Sequence, residues 1–136
     1  MVKIMTKFRL DKLVRDGLLT KYEALGQVPT LRELTSDQHL IELSCKGVEE
    51  FTEIKPDMSI EEIEDEVADV LQVVIDIIAV RGLSMDRILH KIKKTHDDKG
   101  DCTGGTFVEV LELRDDDIEW TEYYRSDPNR FPEIKE

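Results

Sequence analysis

The sequence predicts an all-α protein, and three observations carry that expectation. Apolar residues recur at three-and-four spacing through several segments, most densely between Ile60 and Arg81. Ser, Thr, Gly and Pro stand at the borders of those segments, where helices start and stop. The composition, 40% hydrophobic and 37% charged over 136 residues, is that of a globular chain rich in helix formers. The length fits one domain.

Taken in order, residues 7–14 are expected to run extended into a first helix. Leu10, Leu13, Leu18, Tyr22 and Leu25 recur at roughly helical spacing, and Gly26 supplies a C-cap. Residues 29–34 alternate and predict a short strand. Its expected partner is the clearer alternation of residues 106–113. Such a two-stranded β-ribbon is marginal alone, so it should lie on the helices. Thr35 or Ser36 caps the next helix, with Asp37 in its first turn and an apolar stripe of Leu40, Ile41, Leu43, Val48, Phe51 and Ile54. Pro56 should stop that helix near Lys55. Gly47 within it marks either a close approach of another helix or nothing in particular.

Ser59, with Glu62 three residues on, predicts a capping box that opens a helix over Ile60 to Arg81. Apolar residues wrap nearly around this helix, and only Glu62, Glu66, Asp69, Gln72 and Asp76 form a polar stripe. A helix apolar on most sides needs cover on most sides. The chain is short for supplying it, which predicts a homo-oligomer, a homodimer or homotetramer, with this helix packed on its symmetry mate. Gly82 ends the helix, and Ser84 caps the next, Met85 to Lys99. There Arg87, Lys91 and Lys94 share one face, as phosphate contacts or as a solvated face. A glycine-bearing loop follows, then a short terminal helix over Ile118 to Tyr124 and a tail whose Trp120, Tyr123, Tyr124 and Phe131 pack together or on a neighbouring subunit.

The formal charge of −12 excludes non-specific binding to nucleic-acid polymers or anionic membranes, which needs a basic surface. Cys45 and Cys102 form no paired motif, and His39, His90 and His96 are scattered. The stretch Met1-Val2-Lys3-Ile4-Met5 is too short and mixed for a signal peptide, and the apolar run from Val67 to Val80 is interrupted by Asp69, Gln72 and Asp76. A cytoplasmic location with no membrane partner is therefore expected.

Two acidic pairs stand out, Glu50 with Glu53 and Glu66 with Asp69, each spaced to share a helix face. Pro56 to Ser59 break the chain between them, so the two helices form a hairpin whose carboxylates can converge. Unit charges about 4 Å apart repel by about 4 kcal/mol at an effective dielectric near 20. A hard divalent cation offsets that repulsion, and Mg²⁺ commonly bridges carboxylates to substrate phosphates. Lys46, one turn before Glu50, either holds a phosphate as a point charge or pairs with Glu50. Arg15 either reaches a phosphate or partners an acid.

The pattern E-E-x-x-E over Glu49, Glu50 and Glu53, followed by E-x-x-D at Glu66 and Asp69, resembles the metal-binding signature of the MazG-like all-α nucleoside triphosphate pyrophosphohydrolases. Lys12-Leu13-Val14-Arg15-Asp16 is similar to a segment that opens many members, Lys46 matches a lysine often found there, and Gly104-Gly105-Thr106-Phe107 is similar to their C-terminal R-G-G-F. The resemblance covers roughly residues 7 to 113. It departs where Gly17-Leu18-Leu19 replaces a lysine and proline and in the loop 99–105.

The resemblance implies a MazG-like helical bundle completed by oligomerisation, with a pyrophosphohydrolase domain over residues 1–114 and a helical tail over 115–136. It implies Mg²⁺, with Mn²⁺ as an alternative, held by Glu50, Glu53, Glu66 and Asp69. It implies catalysis by Glu50 and Glu53, with Glu49 as general base or additional ligand, and substrate contacts from Lys46, Lys91, Lys94 and Arg15. The expected reaction converts a nucleoside triphosphate to monophosphate and pyrophosphate, in nucleotide house-cleaning. The alternatives are a phosphoribosyl-ATP-type pyrophosphohydrolase and a non-catalytic metal-binding helical oligomer.

Overall fold

Local capping chemistry sets most of the helix ends. The computed structural model describes residues 4–135 and contains α1 (Gly17–Ala24), α2 (Ser36–Thr52), α3 (Ile60–Arg81), α4 (Met85–Lys99) and α5 (Ile118–Arg125). Met1, Val2 and Lys3, part of the N-terminal stretch weighed above, lie outside the described residues. At the start of α2 a complete capping box forms: the Thr35 hydroxyl accepts from the Gln38 N–H at 3.2 Å, and the Gln38 side chain accepts from the Thr35 N–H at 3.0 Å. The Ser59 hydroxyl accepts from the Glu62 N–H at 3.1 Å to open α3. Gly82, at φ 62°, closes it in the left-handed conformation that favours glycine. The Ser84 hydroxyl then accepts from the Arg87 N–H at 3.2 Å, starting α4 two residues after α3 is closed.

Helix α2 ends at Thr52, sooner than Pro56 alone required. Its last turn tightens: the N–H groups of Glu53 and Ile54 donate to the carbonyls of Glu50 and Phe51, each at 3.2 Å, an i to i−3 pattern.

The structure is all-helical among the described residues, and the expected β-ribbon does not form. Residues 29–34 and 106–113 carry no strand pairing. Alternation alone does not make a strand. It needs a partner backbone to fill the ladder and a covered face, whereas Phe107, Val108, Val110 and Leu111 are all exposed.

The chain divides into two compact units, the first ending at Ile92 and the second beginning at Lys93. In the first, α2 and α3 pack on one another as a helical hairpin, the one extended helix–helix contact among the described residues. Leu43 of α2 and Val70 and Val73 of α3 are its buried core. Among the described residues no large side chain is fully buried. The full bundle expected from the sequence is thus represented within the chain by a two-helix hairpin. In the second unit an aromatic cluster forms: Tyr124 meets Phe131 edge-on at 4.9 Å between centroids, Trp120 meets Tyr123 edge-on at 5.4 Å, and Arg125 pairs with Glu133. Among the described residues no helix is long and apolar enough to cross a membrane.

Gly47 lies against α3, where a Cβ would meet Val73 Cγ1 at 3.7 Å, an ordinary van der Waals distance. Gly47 therefore gives the helices no approach that alanine would forbid. We expect Gly47→Ala to stabilise the chain by about 0.5–1 kcal/mol through helix propensity alone. Urea titration of the two proteins checks this, and a lower midpoint for the alanine variant would mean that the helices need closer contact.

Candidate metal and phosphate site

The α2–α3 hairpin brings three carboxylates together. The antiparallel pairing sets Gly47 of α2 against Val73 of α3, and one turn further along α2 Glu50 meets Glu66 and Asp69. One carboxylate oxygen from each of these three lies within 4.8 Å of the other two. All three residues are half-buried. Two Mg²⁺–oxygen bonds of about 2.1 Å separate opposite ligands by roughly 4.2 Å. Adjacent ligands of an octahedral ion lie roughly 3.0 Å apart and at most one pair of the three can be opposite, so the carboxylates would have to draw together by side-chain rotation to share a hard cation.

Glu53 stands outside this cluster. It is the C-cap of α2, still in right-handed helical dihedrals but with its N–H donating to the Glu50 carbonyl. Its charge is still felt. Partial burial first, then repulsion from Glu53, Asp69, Glu50 and Asp65, pushes the Glu66 carboxyl above its ordinary value. Burial and neighbouring like charge both disfavour the ionised form.

Three cations ring the cluster. Lys46 Nζ lies 3.3 Å from Glu49 Oε2 and 3.5 Å from Glu50 Oε1, and its side chain is 19% exposed. Lys12 Nζ reaches Glu49 Oε1 at 3.1 Å from 37 residues away, and Arg15 Nη2 donates to Asp69 Oδ1 at 2.7 Å. Lys46 and Arg15 thus adopt the acid-pairing alternative in this structure. The segment that carries Lys12 and Arg15 precedes α1 and holds to the hairpin through these pairs.

Glu49 sits between two ammonium groups, and their hydrogen bonds, Lys12 first and Lys46 second, hold its carboxyl below the usual range. A carboxylate stabilised in this way is a poor proton acceptor. In this structure it anchors Lys12 and Lys46. Lys91 and Lys94 make no ion pair or hydrogen bond among the described residues, and both are exposed on α4.

Lys12 was not among the residues singled out from the sequence for contact with substrate. Its signal was only its place in the K-L-V-R-D segment, three residues before Arg15. Comparison with known protein families, curated proteins and solved structures finds no match to this chain.

Proposed function

We propose that the chain is a Mg²⁺-dependent nucleotide pyrophosphohydrolase of the MazG-like all-α kind, hydrolysing a nucleoside triphosphate to monophosphate and pyrophosphate in nucleotide house-cleaning. The observation that carries this reading is three carboxylates on two helices, with oxygens within 4.8 Å of one another, bordered by Lys12, Arg15 and Lys46. Acidic oxygens beside cations suit a polyphosphate, whose charge needs both a metal and basic side chains.

Glu50, Glu66 and Asp69 would hold Mg²⁺, with Mn²⁺ as an alternative. When bound, the ion supplies neutralisation of phosphate charge and a more acidic water. Lys46 and Arg15 would exchange their carboxylate partners for phosphate oxygens, Arg15 through its planar fork and Lys46 as a point charge. Glu53, whose charge is felt at Glu66, would join the ligand set on side-chain movement, and Glu49 remains the proposed general base or additional ligand. Lys91 and Lys94 remain proposed contacts for the distal phosphates. The assembly would be a homodimer or homotetramer located in the cytoplasm.

A second reading, a metal-binding helical oligomer without catalysis, draws on the same cations, since Lys46 and Arg15 already pair with Glu50 and Asp69 rather than standing free for a substrate. Pyrophosphate release from a panel of ribo-, deoxyribo- and modified triphosphates, with Mg²⁺ or EDTA, separates the two. Mg²⁺-dependent release is expected. No release from any triphosphate, with a melting temperature that still rises on adding Mg²⁺, would favour the non-catalytic reading.

A further inference from the structure

The polar stripe of α3 does not end at the three carboxylates. Glu66, Asp69, Gln72 and Asp76 step along the helix by three, three and four residues, and all four are half-buried. Such steps keep them on one side of the helix. Glu66 and Asp69 belong to the cluster, whereas the proposed reaction gives Gln72 and Asp76 no task. Gln72 Nε2 donates to Asp76 Oδ1 at 3.0 Å, and among the described residues no other hydrogen bond or ion pair engages either side chain. The helix around this pair is apolar, with Val70 and Val73 buried and Val74 and Ile75 beside them.

We propose that Gln72 and Asp76 form the base subsite and select a guanine-type base, one that carries N1–H and a 2-amino group. This inference rests on the nucleotide reading above and deepens it from a triphosphate to a base class.

Placement and chemistry agree. Asp76 lies seven residues beyond Asp69, about 10.5 Å along the axis and about 20° around it. That rise is comparable with the span from the α phosphorus of a nucleotide to the outer edge of its base. Towards the start of α3 the stripe offers only Glu62, which is exposed. A carboxylate accepts through two oxygens and does not donate. Guanine turns two adjacent donors outward, N1–H and the 2-amino group, and both can pair with Asp76. The Gln72 amide holds the carboxylate through Oδ1, and its second N–H remains for the base O6. Adenine presents its N1 acceptor to the same carboxylate, which leaves both groups unpaired. Unpaired polar groups of this kind are what separate a substrate from its analogue. A Gln–Asp pair that only steadied its helix would contribute about 0.2–0.5 kcal/mol and would not distinguish bases.

The test has two readouts, kcat/KM with Mg²⁺ for the triphosphates of guanosine, inosine, xanthosine and adenosine, and isothermal titration with the four monophosphates. It compares the wild type, Asp76→Asn and Gln72→Met. The wild type should prefer guanosine to adenosine by about tenfold or more in both readouts, the effect of one lost hydrogen bond and one unpaired group, with inosine between. Asp76→Asn keeps its oxygen towards Gln72 and turns an NH₂ to the base. It should therefore prefer xanthosine, whose 2-oxo group accepts, over guanosine. Loss of fold weakens all four nucleotides and does not reverse their order. Gln72→Met covers the case in which Asp76→Asn does not fold. It leaves the carboxylate but removes the bond that orients it, and the guanosine preference should fall about threefold. Hydrolysis without a guanosine preference, or a preference that both variants keep, would overturn the base subsite and leave the hydrolytic reading standing. No hydrolysis, with guanosine-selective monophosphate binding that Asp76→Asn reverses, would overturn the hydrolytic reading and leave the base subsite standing. Neither hydrolysis nor monophosphate binding would overturn both.

Discussion

Glu66→Gln should raise the thermal midpoint of the metal-free protein and lower Mg²⁺-dependent pyrophosphate release by about 100-fold or more. The two effects have one origin. Glu66 stands among Glu50, Glu53, Asp65 and Asp69, and partial burial with that crowding raises its carboxyl above the ordinary 4.5. Between 4.5 and the raised value the folded state binds more protons than the unfolded state. Stability therefore falls as pH rises through that window, and the loss persists at every higher pH. Glutamine keeps the shape and removes the charge, so the variant is relieved of this cost above the window. It also lacks an anionic ligand, so metal binding suffers.

Glu49 has the opposite dependence. Its carboxyl is lowered by the hydrogen bonds from Lys12 and Lys46, so it contributes stability above 4.5 that is lost as pH falls through its folded value. The difference between wild-type and Glu66→Gln melting curves across pH isolates the first effect. A variant that melts lower than wild type at neutral pH would contradict the crowding account. A variant that hydrolyses normally would remove Glu66 from the metal ligands.

Arg15→Gln should tighten Mg²⁺ binding about threefold to fivefold, the range a partly exposed ion pair supports, while Lys12→Gln changes it less than about twofold. Both substitutions remove one positive charge beside the cluster, so a general change of field would act on both alike. Only Arg15 is bonded to a proposed ligand, Asp69, at 2.7 Å; Lys12 bonds Glu49, which lies outside the three-carboxylate group. The Arg15 side chain is 59% exposed and that of Asp69 40%, which limits the competition to a modest factor. Isothermal titration with Mg²⁺ gives the answer. Equal effects of the two substitutions would make the influence purely a matter of field. Weaker binding in Arg15→Gln would instead mean that Arg15 orients Asp69 from outside the metal's shell.

What could be read from the sequence divides by range. Helices α3 and α4 fall where residues 59, 82 and 84 put them, because a cap is chosen by groups within three or four residues of itself. Glu50, Glu66 and Asp69 converge because their spacing and the break after α2 are also local. The ends of that break were less legible. Whether Glu53 completes a helical turn depends on how the chain leaves α2, and Pro56 limits that without fixing it. The alternation at 106–113 is equally consistent with an unpaired extended chain, since no local feature says whether a partner backbone exists. Lys12 and Arg15 found their acids across 37 and 54 residues. No periodicity carries such a pairing, and in a chain with 31 acidic residues each cation had many possible partners.

The separation between those cations and their acids has a consequence for the order of assembly. Residues of α2 and α3 that touch are near neighbours along the chain, so the hairpin closes a short loop and forms early. Lys12 and Arg15 leave the ribosome first, yet their binding surface does not exist until Asp69 has emerged and the hairpin has closed. The acidic half of the site is therefore built before its basic border. During that interval Lys46 on α2 is the newborn hairpin's own counter-charge, beside Glu49 and Glu50, and for Glu66 and Asp69 small cations in the surrounding solution are the partners within reach.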